Sequence, residues 1–293
     1  MPNAARKLLE LIRFSHTLFA LPFALLSATF AWHAVGFRWR DLVGILACMV
    51  AARSFAMAFN RLVDRDIDAK NPRTAGRHLP AGTLSVAVVA AFTAATAVAF
   101  VAATLIFLWR EPANPWPLYL SGPVLVVLGG YSLAKRFTSL AHFWLGASLM
   151  LAPVAAWIAV CGPVAMAVPL LLGGAVLFWV AGFDILYACQ DFAFDRDAGL
   201  HSVPARFGIR TSLRVAAGCH VAMFLFLLGL GFASDVLGTV WFLGLGVVGA
   251  LLVYEHAIVR PDDLTQVNRA FFQVNGVISV GLLVLGLVEV LVK

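Results

Sequence analysis

The stretch VAVVAAFTAATAVAFVAATLIFLW (86–109) decides the fold. It runs from Val86 to Trp109 without one charged side chain, and a membrane-spanning helix needs about 20 such consecutive apolar residues. A strand of a membrane barrel would instead alternate apolar and polar residues over about ten positions. Comparable runs lie near 17–35, 42–60, 117–134, 141–160, 164–187, 213–232, 236–256 and 271–292. The chain of 293 residues is 62% hydrophobic and 12% charged, with a mean hydropathy of +0.92, which excludes an ordinary soluble surface. The expectation is an all-α membrane protein with nine transmembrane helices around a central cavity, forming a single domain over residues 1–293.

Charge placement sets the topology. The net charge is +6, but the bases are distributed for a bilayer and not for nucleic acid. With a cytoplasmic N-terminus, the tail and the loops after the second, fourth, sixth and eighth runs carry 16 of the 21 Lys and Arg residues. The opposite side holds Arg38, Arg40, Arg110 and Lys293, as the positive-inside rule requires. The expected location is the inner (cytoplasmic) membrane, with the polar loops 61–84 and 188–212 facing the cytoplasm. The first apolar run follows Arg6, Lys7 and Arg13, lacks a small-residue cleavage site and reads as a retained helix. Cys48, Cys161, Cys189 and Cys219 form no CxxC pair, so neither a disulfide framework nor a zinc site is indicated.

Acidic residues are scarce, so their positions carry information. Seven of the 15 fall in two stretches, AFNRLVDRDIDAKNPRTAGRHLPAG (58–82) and FDILYACQDFAFDRDAGLHSVPARFG (183–208). In the first, Asp64 and Asp68 are four residues apart, which on a helix places both carboxylates on one face. Asn60 lies one turn earlier and Arg53 seven residues before that, making a polar stripe on an apolar helix. Asp191 and Asp195 repeat the spacing in the second stretch, with Asp184 seven residues earlier. The repetition suggests an internal repeat.

Clustered carboxylates repel one another unless a cation neutralises them. An all-oxygen donor set favours Mg²⁺ over zinc or copper, and Mg²⁺ usually completes its shell with water and substrate phosphate oxygens. Lys70, Arg73, Arg77 and Arg206 stand nearby in sequence to hold such a phosphate, as do Tyr131, Lys135 and Arg136 in the intervening loop. A diphosphate head at the membrane face with a long hydrocarbon tail among the helices describes a polyprenyl diphosphate. Asp66 and Asp197 fall off the stripes and read as solvated charge. His16, His33, His142 and His220 read as isolated histidines that bond a neighbouring helix.

These motifs resemble those of the UbiA superfamily of intramembrane prenyltransferases. The family's NxxxDxxxD motif is matched by Asn60, Asp64 and Asp68. Its DxxYA and DxxxD motifs are matched by Asp184, Tyr187 and Ala188, then Asp191 and Asp195. Its Y-x3-K-R element is matched by Tyr131, Lys135 and Arg136. The resemblance implies that the four aspartates hold two Mg²⁺ ions on the diphosphate, that the bases bind its oxygens, and that ionisation gives an allylic cation attacked by a phenolic ring. It also implies an acceptor that is a hydroxylated aromatic carboxylic acid, and Arg53 is placed to meet either the acceptor carboxylate or the diphosphate. Many members carry an aspartate after the motif asparagine, whereas this chain has Arg61; together with HTLFALPFALLSA (16–28), the chain is closer to the branch linked to futalosine-route menaquinone synthesis. Both 4-hydroxybenzoate and 1,4-dihydroxy-6-naphthoate stay open as acceptors, in ubiquinone or menaquinone biosynthesis. No obligate protein partner is expected.

Two other readings compete. An ion-coupled transporter also uses intramembrane carboxylates, but would place them near the midplane on broken helices. A prenyltransferase with haem or a chlorophyll precursor as acceptor would share the fold. The alcohol phosphotransferases also use paired aspartates, but their DGxxAR signature is absent here.

Overall fold

The computed structural model describes residues 4–11 and 19–292, and every described element but one isolated bridge is helical. Among the described residues eight helices are long and apolar enough to cross a membrane. The chain is an integral, multi-pass, all-α protein. A ninth apolar helix, Leu21–Val35, has 15 residues, which at ~1.5 Å per residue is shorter than a ~30 Å hydrocarbon core. The earlier part of the expected 17–35 run lies outside the described residues, with Arg13, His16 and Lys293.

The backbone divides into two compact units. The first takes residues 1–17 and 38–133. Here α1 (Ala4–Leu11) precedes α3 (Trp39–Val63), α4 (Arg65–Lys70), α5 (Val86–Thr104) with its 3₁₀ extension Leu105–Trp109, and most of α6 (Trp116–Ala134). Helices α3 and α5 pack along their lengths. Near the start of α3 the buried Asp41 accepts from Arg110 at 3.0 Å, and Gly44 gives the Phe107 ring room to approach the helix. At the other end Leu11, Ala58, Leu84 and Val89 form an apolar cluster. There Lys7 donates to the Thr83 carbonyl at 3.0 Å and Glu10 pairs with His78 at 3.4 Å, so α1 is fastened to the polar loop that follows α4.

The second unit takes residues 18–37 and 134–293. It contains α2 (Leu21–Val35), α7 (Ala141–Cys161), α8 (Ala167–Ala188), α9 (Phe192–Asp197), α10 (Val203–Phe207), α11 (Ile209–Ala233), α12 (Thr239–Ile258), α13 (Val267–Arg269), a π-helical turn at Ala270–Val274 and α14 (Asn275–Val292). Helix α8 is its centre, packed between α7 and α11, while α2 lies against α7 and α14. Phe23, Trp179, Phe183 and Phe271 fill the interior with tilted and edge-on ring contacts. A buried polar knot ties three helices: Asn275 receives from Trp179, and donates to Glu255 at 2.8 Å and to the Ala270 carbonyl at 3.1 Å. The last bond supplies a donor for a carbonyl at the start of the π-helical turn. Large apolar side chains such as Val98, Val126, Val253 and Leu291 face outward, which suits lipid and not water.

The loops expected at 61–84 and 188–212 are partly helical, because α4, α9 and α10 fall within them. Each begins with the chain continuing its helical hydrogen bonding past the end of the long helix.

Candidate active site

Each aspartate pair sits on a kinked helix end, and the two kinks have the same backbone. Asp64 separates α3 from α4 with φ −88° and ψ 2°; Asp191 separates the α8 extension from α9 with φ −98° and ψ 8°. A six-residue helix follows in both cases. Both residues occupy the bridge region, Asp191 at the end of a 3₁₀ turn over Cys189–Asp191. At the first kink the i→i+4 bonds Asp64 N–Asn60 O (2.9 Å) and Asp68 N–Asp64 O (2.7 Å) persist, so Asp64 and Asp68 still share a side.

In the first unit Asp64 and Asp68 are both buried, while Asp66 between them is exposed beside Arg65. Asn60 donates to Asp64 Oδ2 at 2.9 Å and accepts from Arg61 at 3.0 Å. Arg61, the residue that departs from the family pattern, thus steadies the motif asparagine. Asp68 is clamped by Arg77, whose Nη1 lies 2.7 Å from both carboxylate oxygens. The loop carrying Arg77 is held back against α4 by Thr74, which donates to the Asp68 carbonyl, and by an Asx turn in which the Arg73 amide donates to Asn71. Lys70 at the end of α4 and Arg73 on this loop are exposed, and Arg53 is half-buried further up α3, within electrostatic range of Tyr131.

In the second unit Asp184, Asp191 and Asp195 are all half-buried, and Asp197 is exposed beside Arg196. Asp184 bonds His142 of α7 at 2.7 Å, an interaction between residues 42 positions apart that no spacing in the chain foretells. Arg206 is exposed at the end of α10 and donates to Ser139 at 3.2 Å. The Lys135 carbonyl accepts from His201 at 2.7 Å, so the Y-x3-K-R element is joined to the loop after α9. Tyr187 is half-buried with its ring 4.4 Å from that of Phe271, and Arg136 is exposed.

No group of three or more His, Cys, Asp or Glu donors converges on one point among the described residues. Mg²⁺ does not need one: it commonly takes one or two carboxylates and fills its shell with water and phosphate oxygens. A buried, all-oxygen pair fits that requirement, as Asp68 already holds a cationic group in Arg77.

The UbiA prenyltransferase family matches residues 20–277. The chain belongs to that family. This UbiA family member is therefore a prenyltransferase, and the expected kinship is borne out. It is 31% identical to the 4-hydroxybenzoate octaprenyltransferase of Thiobacillus denitrificans over 80% of this chain and 75% of that one. It is 30% identical to the enzyme of the same name from Aromatoleum aromaticum over 83% and 80%. The apo structure of a UbiA homolog from Aeropyrum pernix K1 superposes with a TM-score of 0.77 at 28% identity, covering 94% of this chain and 97% of that one. A UbiA homolog from Archaeoglobus fulgidus, solved with GPP and Mg²⁺, shares the fold with a TM-score of 0.72 at 17% identity, covering 97% and 99%.

Proposed function

We propose that this chain, as one catalytic domain in the inner membrane with its polar loops toward the cytoplasm, transfers a polyprenyl group from a polyprenyl diphosphate to a hydroxylated aromatic carboxylic acid. The observation that carries the reading is the twice-built helix end, in which Asp64/Asp68 and Asp191/Asp195 follow matching backbone kinks. The curated relatives at about the same identity are 4-hydroxybenzoate octaprenyltransferases, which supports an aromatic acceptor.

In this reading Asp64, Asp68, Asp191 and Asp195 hold Mg²⁺. Bound there, Mg²⁺ supplies Lewis-acid neutralisation of the departing diphosphate. Asn60 fixes the rotamer of Asp64, so the carboxylate is oriented before substrate arrives. Lys70, Arg73, Arg77, Lys135, Arg136 and Arg206 contribute charge-assisted hydrogen bonds to diphosphate oxygens. Arg53 and Tyr131 meet the acceptor, the Arg53 guanidinium by donating to the acceptor's carboxylate. The apolar helices keep water from the allylic cation.

The test is prenyl transfer by purified protein in lipid with Mg²⁺ and a polyprenyl diphosphate, offering 4-hydroxybenzoate and 1,4-dihydroxy-6-naphthoate separately. Product from one acceptor supports the reading and assigns the pathway, ubiquinone or menaquinone. No alkylated aromatic acid under any condition overturns it.

Arg77 gives a second expectation with two opposite signs. It neutralises Asp68 in the structure and binds diphosphate in the proposed complex. Arg77→Gln should therefore bind Mg²⁺ more tightly in the absence of substrate, having lost a competing cation. Its KM for the prenyl diphosphate should rise about 10–100-fold, the worth of one hydrogen bond to a charged group. Calorimetric Mg²⁺ titration and initial rates check the two halves; a variant with unchanged KM shows that Arg77 serves Asp68 alone.

A further inference from the structure

Asp184 and His142 form a dyad whose proton positions the geometry settles. Val203, the first residue of α10, has a backbone N–H with no partner inside its own helix, and it donates to His142 Nε2 at 3.3 Å. That nitrogen is therefore an acceptor and carries no hydrogen. The hydrogen of the neutral ring sits on Nδ1, which donates to Asp184 Oδ2 at 2.7 Å. Ser202 caps α10 by accepting from the Ala205 amide, so the Val203 amide is held in place. His142 is buried with a side-chain exposure of 6%, while Asp184 is 26% exposed. Among the described residues Asp184 Oδ1 has no hydrogen-bond partner. Asp184 lies on α8 two turns before Asp191, on the same polar stripe.

Resting on the reading above, we propose that Asp184 is the catalytic group that receives the proton lost by the aromatic ring, and that His142 is the residue that positions it. The chemistry needs such a group. The bond between the prenyl carbon and the diphosphate oxygen breaks, and its electron pair leaves with diphosphate. Ring π electrons form a bond from the carbon beside the hydroxyl to the prenyl carbon. The C–H bond on that ring carbon then breaks, its electron pair restores aromaticity, and the proton passes to Asp184 Oδ1. No oxidant or reductant takes part. His142 cannot take this proton, because Val203 occupies its one basic nitrogen. It keeps one carboxylate oxygen engaged and leaves the other for the substrate. Asp184 is 26% exposed, so its free carboxylate oxygen is not sealed within the helix packing.

The experiment compares an acceptor bearing hydrogen or deuterium at the ring carbon beside the hydroxyl, following alkylated product and diphosphate release together. Wild type should show no primary isotope effect. Asp184→Asn should lower transfer about 10²–10⁴-fold, the usual worth of a positioned base, and should reveal a primary isotope effect while diphosphate release persists. Asn at position 142 can present an N–H where Nδ1 stood, so His142→Asn should stay close to wild type. His142→Phe should lose about 100-fold in kcat through misplacement, with the isotope effect and with little change in KM for the prenyl diphosphate. Thermal midpoints in the same lipid establish that the variants are folded. If Asp184→Asn loses diphosphate release and transfer in equal proportion without an isotope effect, the base assignment is wrong. If His142→Asn and His142→Phe fall alike, His142 is a packing residue. Wild type that releases diphosphate but alkylates no aromatic acid sinks the parent reading and this assignment with it; wild type that alkylates while Asp184→Asn does so equally sinks the assignment alone.

Discussion

Asp64→Ala and Asp191→Ala should each lower kcat/KM for prenyl transfer by about 10²–10³-fold or more, the cost of removing one preorganised group that stabilises transition-state charge. Both residues sit at the kinks, so both carboxylates are placed by backbone geometry as well as by rotamer. Asp64 is buried and held by Asn60. The neighbouring charges are the control: Asp66 and Asp197 are exposed, with side-chain accessibilities of 81% and 76%. Asp66→Ala and Asp197→Ala should change the rate hardly at all. Rates measured across a Mg²⁺ titration separate lost metal affinity from lost chemistry. The double variant Asp64→Ala/Asp191→Ala should be little worse than the poorer single one, since groups serving one step are non-additive. Near-wild-type turnover in either single variant would remove the aspartate pairs from the mechanism.

The parts of this picture that the sequence made legible are those with a period. Continuous apolar runs set the helices, with ends within a few residues of those observed, as for 213–232 against Ile209–Ala233. The i,i+4 spacing put Asp64 with Asp68 and Asp191 with Asp195. The kinks were not legible, because i→i+4 bonds run through Asp64 and a 3₁₀ turn leads into Asp191, and neither proline nor glycine stands at either position. The His142–Asp184 contact was hidden for another reason. It joins two helices through tertiary packing, and a lone histidine in an apolar run looks the same whether it bonds a carboxylate or a carbonyl. The expectation that such histidines bond a neighbouring helix fits His142, and His220 similarly meets His256 of α12 at 2.9 Å. Arg77 was visible as a base near the motif, but its grip on Asp68, nine residues away, depends on how Thr74 and Asn71 fold the loop back.

The largest expected effect on folding lies on the contact between α7 and α8. In lipid there is little hydrophobic drive for helices to associate, so close van der Waals packing and small residues carry more of the stability. A Cβ added at Gly146 would fall far inside contact distance of the Leu177 backbone oxygen and 3.1 Å from its carbonyl carbon. A backbone cannot rotate away as a side chain can. At Gly286, by contrast, the obstructing atom is the tip of the flexible Leu26 side chain. Gly146→Leu should therefore destabilise the protein by about 1–3 kcal/mol or more, the range for overpacking a filled interior, read as a lower thermal midpoint in one detergent. Gly218 on α11 is the opposite case, with nothing within 4 Å of an added Cβ. There Gly218→Ala should raise the midpoint, because alanine is favoured over glycine in a helix by about 1 kcal/mol. Equal midpoints for Gly146→Leu and wild type would show that α7 and α8 are not pressed together there. The consequence reaches the chemistry, because His142 lies one turn before Gly146 on the same face of α7. A side chain that wedges α7 from α8 must lengthen the 2.7 Å contact from His142 to Asp184. Gly146→Leu protein that still folds at low temperature should therefore lose transfer there as His142→Phe does, whereas Gly218→Ala should keep it.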